Sequence, residues 1–229
     1  MLAHGVYFDR DRIHSDLWVW VLERLMRARG LPSGVHNSAV EGLRHLPALL
    51  ALYTVSLAAV ATKRDDVMLR ALREPAWRGP FSGQEEKPAM NVLHIYRVLE
   101  SQVLNSFPRW ESRWIYPESH FLRESLEPVL GPLVGDGSAY EALFDRTEYR
   151  IALAHSLEDG SSASFRAPTG NFMGDYQWDG QTLRSETEFR KNADISQWGW
   201  GTDMHGESDE LTAKLAELRD HLSQAQRWG

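Results

Sequence analysis

The chain has 229 residues, of which 42% are hydrophobic, 25% charged and 10% aromatic, the proportions of an ordinary soluble globular protein rather than a disordered, fibrous or membrane one. Its 25 Lys and Arg against 32 Asp and Glu leave a net charge of −7, which disfavours general nucleic-acid coating; residues 1–73 stand at +3 and the remainder at −10, too mild a split to mark a phosphate-binding face. The absence of cysteine excludes disulfides, thiolate nucleophiles, iron–sulfur clusters and sulfur-ligated zinc, and an N-terminus without a basic segment followed by an apolar run predicts a cytoplasmic protein.

The first predicted helix runs from about Asp11 to Arg29, where Leu17, Trp18, Val21, Leu22, Leu25 and Met26 make a wide apolar stripe that Gly30 and Pro32 terminate. Ser38-Ala-Val-Glu41 has the pattern of a capping box, in which hydroxyl and carboxylate satisfy orphan backbone amides, and the helix it opens reaches about Thr62 with a break or restart at Pro47. Leu46 to Thr62 carries no formal charge over 17 residues, close to the lower limit for crossing a bilayer. Pro47, Tyr53, Thr54 and Ser56, with no second span, favour a helix buried on most sides of a core. Arg64-Asp-Asp66 breaks the run and caps a short antiparallel partner carrying Val67, Leu69 and Leu72 and ending before Pro75.

Residues 74–88, rich in Pro and Gly, read as a loop, and Met90 to Leu104 as a further helix stopped by Pro108. Trp110 to Tyr116 concentrates aromatic residues in a connection, after which Ser119 caps a helix that Pro128 and Pro132 interrupt. Gly135-Asp-Gly137 is a turn, and Tyr140, Leu143, Phe144, Thr147, Ile151 and Ala154 recur at helical spacing with Glu141, Asp145, Glu148 and Arg150 largely on other faces. Alternation at Phe172, Gly174, Tyr176 and Trp178 ahead of Asp179-Gly180 predicts one β-hairpin over 171–186. Residues 187–206 read as irregular, and a last helix runs from Ser208 to about Gln226 on Leu211, Leu215, Leu218 and Leu222. The expected architecture is mainly α, a bundle of antiparallel helix hairpins with that small β-hairpin. Residues 1–160 would form the helical core, and 161–229 an irregular segment and C-terminal helix packed on it.

None of the familiar catalytic signatures is present. Nine histidines are scattered without the paired spacing of a zinc protease; His120 and Glu124, one turn apart, read as an exposed polar pair rather than ligands. Asp203 and His205, in a glycine-rich stretch near Trp198 and Trp200, are the candidates for a carboxylate–histidine metal site, the alternative reading being a small metal-dependent hydrolase. Ser161, Ser162 and Ser164 lack a nucleophile elbow, Gly135-Asp-Gly137 lacks the spacing of a phosphate loop, and the paired carboxylates at 65–66, 85–86 and 186/188 read as solvated. The nine tryptophans are the unusual feature, five of them in segments read as loops or turns. Bulky rings beside arginines anchor protein interfaces, and they also fold back to seal a core; on the first reading Trp110, Arg113 and Trp114 are the interaction residues.

The run from Ala48 to Pro75 resembles the unit of apolar helix, basic–acidic turn and second helix in the helical C-terminal regions of bacterial multidomain effector proteins, which follow sirtuin-like or Toll-receptor-like domains. Tyr140 to Leu153 and Ala167-Pro-Thr-Gly-Asn-Phe172 are similar to stretches of the same regions. The resemblance covers under half of the chain, contains no catalytic motif and carries over no site residue. It implies sensing, assembly or autoinhibition in an antiviral defence system, with catalysis performed elsewhere. The expectation from sequence is therefore a non-catalytic interaction subunit that uses no cofactor and contacts another protein or a second copy of itself, without binding a membrane.

Overall fold

The computed structural model describes residues 1–9, 11, 13–27, 41–78, 85–100, 104, 115–158, 170–175, 183–198 and 209–227. The fold is mainly α. In chain order the elements are α1 (Leu2–Phe8), α2 (Ser15–Arg27), a 3-10 turn (Leu43–His45), α3 (Leu46–Ala61), α4 (Asp65–Arg73), strands β1 (Ala76–Trp77) and β2 (Lys87–Pro88), α5 (Ala89–Val92), α6 (Ile95–Val98), α7 (Pro117–Val134), α8 (Ser138–Glu158), a 3-10 turn (Asn171–Asp175), α9 (Arg184–Asn192), a 3-10 turn (Ile195–Trp198) and α10 (Asp209–Arg227).

The apolar run becomes the central helix. A helix hydrophobic all round is stable in water only when covered all round, and α3 is packed by α1, α2, α4, α7 and α8. The stretch Leu43–Ala61 is the one among the described residues long and apolar enough to cross a membrane, and most of it lies inside the bundle. The break expected at Pro47 takes the form of the 3-10 turn Leu43–His45, with Pro47 in the first turn of α3, where its missing N–H costs nothing. At the other end the chain reverses without glycine: Lys63 adopts a left-handed φ of 56°, its N–H donates to Val60 O and the Arg64 N–H to Ala59 O, both at the distances of a helix-ending motif (3.1 and 2.9 Å). Arg64, buried in that turn, donates its guanidinium to the Val6 and Asp9 carbonyls, satisfying the C-terminal end of α1. The hairpin of α3 and α4 is the one expected.

Elsewhere the structure departs from expectation. The helix expected from about Asp11 is α2, which starts at Ser15, and a short helix α1 that was not expected precedes it. In α2, Trp18, Leu22 and Met26 are buried but Leu17 is exposed, so the apolar stripe read as one face is divided between core and solvent. The helix expected over 90–104 is split at His94, whose extended backbone and ring Nδ1, accepting from the Tyr96 N–H at 3.3 Å, start α6 afresh. Pro128 and Pro132 do not interrupt α7: both are exposed on its outer side, while Leu122, Leu126 and Leu130 hold the opposite side against the core, so the lost backbone bonds fall where water replaces them.

The β-hairpin expected over 171–186 is not formed by its described residues. Asn171–Asp175 is a 3-10 turn, Arg184 opens α9, and Asp179-Gly180 lies outside the described residues. Phe172, which the alternation placed in a strand, is buried edge-on against Tyr149 with ring centroids 5.9 Å apart. The strands instead pair antiparallel within the 74–88 loop, Ala76 with Pro88 and Trp77 with Lys87. Residues 187–206 also contain order that their composition did not suggest, namely most of α9 and the turn carrying buried Trp198. One apolar cluster runs from Ala3 to Leu222, so α9 and α10 close the same core against α8.

Candidate functional site

Trp110, Arg113 and Trp114 lie outside the described residues, as do Asp203, His205 and Ser161, Ser162 and Ser164. His120 and Glu124 share α7; the His120 Nδ1 sits 3.2 Å from Arg123 Nη2 and Glu124 is exposed. Among the described residues no group of three or more His, Asp or Glu is arranged to hold a metal ion.

The largest correction concerns charge. Asp65 and Glu186, read as solvated, and Glu148 and Arg150, read as largely off the apolar face of their helix, are all buried. Asp65, at the start of α4, accepts from Arg150 Nε at 3.1 Å and from the Trp198 indole N–H at 2.9 Å, both on its Oδ2. Arg150 also donates to Glu188 at 2.8 Å, with its guanidinium 5.3 Å from the Phe189 ring. Glu186, fully enclosed on α9, accepts from Arg190 at 3.0 Å and from Arg219 of α10 at 3.1 Å. Each charge leaves water with its counter-charge, the condition under which burial is tolerated. A cavity of about 260 Å³ borders Asp65, Arg150 and Glu188. Asp65, Arg150 and Glu188 are engaged with one another, which makes this assembly a clamp joining α4, α8 and α9.

Glu148 differs. Among the described residues no cation forms an ion pair with it, Arg123 acting on it only weakly; its Oε2 accepts from Ser119 at 2.6 Å, the Tyr53 hydroxyl bonds to it, and Gly170 is pressed against it so closely that a Cβ there would meet Oε2 at 2.1 Å. Burial pushes its carboxyl up to about 8, partly opposed by the Ser119 hydrogen bond, so the acid is largely protonated at pH 7. Ser119 links it onward to Asn171, whose backbone N–H donates at 3.2 Å. His155, further along α8, is driven down to about 3, by burial first and then by His94 and Arg97, and stays neutral. Neither group lines the cavity of about 260 Å³ beside Asp65 or a second of about 380 Å³ at the surface.

Two features of the surface remain. The first is a cavity of about 380 Å³ between the end of α2, the 3-10 turn before α3, the β ribbon and α5–α6. Leu25, Met26, Trp77 and Val92 give it apolar walls, and Arg27, Arg44, Arg78, Lys87 and Arg97 line it with five cations against Glu41. The second is an apolar strip at the outer side of α1 and α2, where Phe8 is 63%, Ile13 72% and Trp20 54% exposed and Leu17 is also in solvent. Ile13, Leu17 and Trp20 recur at helical spacing, and the Arg24 guanidinium lies 5.5 Å from the Trp20 ring. The other described tryptophans are packed: Trp18 and Trp198 are buried and Trp77 is half-buried. The sequence reading put the contact rings in loops; among the described residues the exposed indole is on a helix, where the exposed Leu17 beside it was the missed signal.

Comparison with known protein families, characterised proteins and solved structures finds no match to this chain.

Proposed function

We propose that the chain is a non-catalytic helical assembly module whose contact face is the α2 strip and whose partner is a second copy of itself. The observation that carries this reading is the placement of Leu17 and Trp20 of α2, with Ile13 in the turn just before it, outside while Trp18, Leu22 and Met26 of α2 satisfy the core. Contiguous exposed apolar side chains on a small protein are characteristic of interfaces, and a tryptophan flanked by arginine is a favoured anchor.

A second copy fits by charge. Asp16 and Arg24 flank Trp20 one helical turn away on either side. If two α2 helices cross antiparallel at Trp20, each Asp16 meets the other copy's Arg24 and the apolar strips cover one another, the self-complementary arrangement a two-fold contact requires. Asp16 is 90% exposed in its side chain despite its 2.8 Å bond to Arg70, so a carboxylate oxygen is open to the partner.

Sedimentation velocity over a concentration series tests this. The wild-type chain is expected to shift reversibly from monomer to dimer, and Leu17→Ser with Trp20→Ser to weaken the dimer by at least about tenfold with the helical circular dichroism unchanged. Asp16→Arg and Arg24→Asp should each weaken it and together restore it. A wild-type chain that stays monomeric at its solubility limit overturns the self-association, as does a dimer indifferent to the double serine variant. Capture of a different protein through the same strip would also replace the second copy as its partner.

A further inference from the structure

The cavity lined by Arg27, Arg44, Arg78, Lys87 and Arg97 is separate from the α2 strip and asks a different question. In a chain of net charge −7, five cations around one cavity is a local reversal of the protein's own field. Glu23 lies 3.6 Å from Arg27 and Glu86 3.5 Å from Arg78, and Arg44 is engaged as well. Both carboxylate contacts are longer than a hydrogen-bonded ion pair; Arg27, Arg78 and Glu86 are exposed and Glu23 is half-buried, so a phosphate oxygen can take over such arginines at modest cost. Arg97 is steered by its Nη1 donating to the Asn91 carbonyl at 3.0 Å.

The walls are equally specific. Gly42 lies so near the Arg97 carbonyl that a Cβ would meet it at 2.2 Å, which ties the turn before α3 to α6 and fixes the distance between two sides of the cavity. The Trp77 ring is half-buried and stands edge-on to His45 with centroids 5.7 Å apart. His45 lines the cavity, and its Nδ1 is buried with no hydrogen-bond partner among the described residues. Burial and the neighbouring Arg44 hold that imidazole neutral, leaving it able to exchange a hydrogen bond with an uncharged ligand group. The Asn91 side chain adds a second polar group without charge.

We infer that this cavity binds a nucleoside phosphate, with the base against Trp77 and the apolar wall, polar edges read by His45 and Asn91, and the phosphates held by Arg44, Arg78, Lys87 and Arg97. A plain phosphate leaves the apolar wall and His45 unused; an apolar ligand leaves the cations unused. The volume of about 380 Å³ is at the small end of ligand pockets, suited to one nucleotide rather than to a folded partner.

Isothermal titration of the full chain with AMP, ADP and ATP, beside adenosine and pyrophosphate, tests it. The nucleotide binding best should bind at least about tenfold tighter than either fragment, because only the whole molecule reaches both halves of the site. Arg78→Glu with Lys87→Glu, both exposed in the free chain, should cut that affinity by at least about tenfold with unchanged circular dichroism. Trp77→Phe, which keeps a ring in the wall, should retain binding while abolishing ligand-dependent quenching from that position. Absence of binding by all three nucleotides overturns the inference. So does pyrophosphate binding as tightly as a nucleotide, which leaves a simple anion site, or full affinity in the charge-reversed variant, which moves the site elsewhere. An oligonucleotide binding far more tightly than a mononucleotide overturns it in favour of a nucleic-acid surface. Dimerisation through α2 is read out separately, so either proposal can fail without the other.

Discussion

Helices α3 and α8 both run through the middle of the bundle, yet they are kept from water by different means. α3 carries no formal charge and buries twelve of its 16 residues, nine of them alanine, leucine or valine and the others Tyr53, Thr54 and Ser56. α8 buries Glu148, Arg150 and His155 along with Tyr140, Phe144 and Tyr149, and brings in partners from α4, α7 and α9 to make that tolerable. The first helix is stabilised by area removed from water, a non-directional effect that accepts many sequences. The second depends on directional pairs, where loss of one member strands the other.

The sharpest test of that difference is Asp65→Ala. It removes the acceptor shared by Arg150 and the Trp198 indole and leaves a buried guanidinium with Glu188 as its one remaining carboxylate beside the Arg146 carbonyl, so a loss of about 3–5 kcal/mol in urea unfolding is expected. A loss under about 1 kcal/mol would mean that the pair is hydrated and that α8 is no different from a surface helix.

Glu148→Gln addresses protonation. Because burial raises the native carboxyl from its ordinary 4.5 to about 8, the folded chain keeps a proton that the unfolded chain has lost. This group's contribution is therefore complete below its unfolded pKa and is lost as pH rises through about 8. The lowered histidines His45, His155 and His221 act in the opposite sense, their share being lost as pH falls below about 6.5. Between about pH 6.5 and 8 the wild-type protein should lose up to about 2 kcal/mol. Glu148→Gln, which keeps an acceptor for Ser119, should flatten that fall; urea midpoints across the window measure both, and parallel slopes would place the titration on another group.

The smallest effect is expected in α3. Ser56 Oγ is buried there with no hydrogen-bond partner, so Ser56→Ala removes an unsatisfied polar atom from an otherwise apolar helix. Its outcome is unchanged stability or a gain of up to about 1 kcal/mol, measured by thermal and urea unfolding. A clear loss would show that α3 also relies on a directional contact.

The same contrast explains what could be read before the fold was known. The apolar run, the turn at Arg64, the short partner helix and the leucines of α10 are local signals, and all appear in the structure. α9 escaped notice because it buries Ser185, Glu186 and Phe189, which make no apolar stripe. Trp198 looked like a loop residue because the carboxylate that receives its N–H stands 133 positions earlier. The cationic cavity draws Arg27, Arg44, Arg78, Lys87 and Arg97 from four separate segments, and three of the five lie beyond residue 73, so the positive balance of residues 1–73 did not foretell it.

Sequence alone determined that this protein is helical, that Leu46–Ala61 is its interior, and where several of its helices turn, because periodicity, caps and breakers act within a few residues. Tertiary structure decided which charges are buried, which side of α2 meets solvent, and which distant arginines share a cavity. Those outcomes depend on the desolvation and pairing of groups far apart in the chain, and short-range patterns carry no record of them.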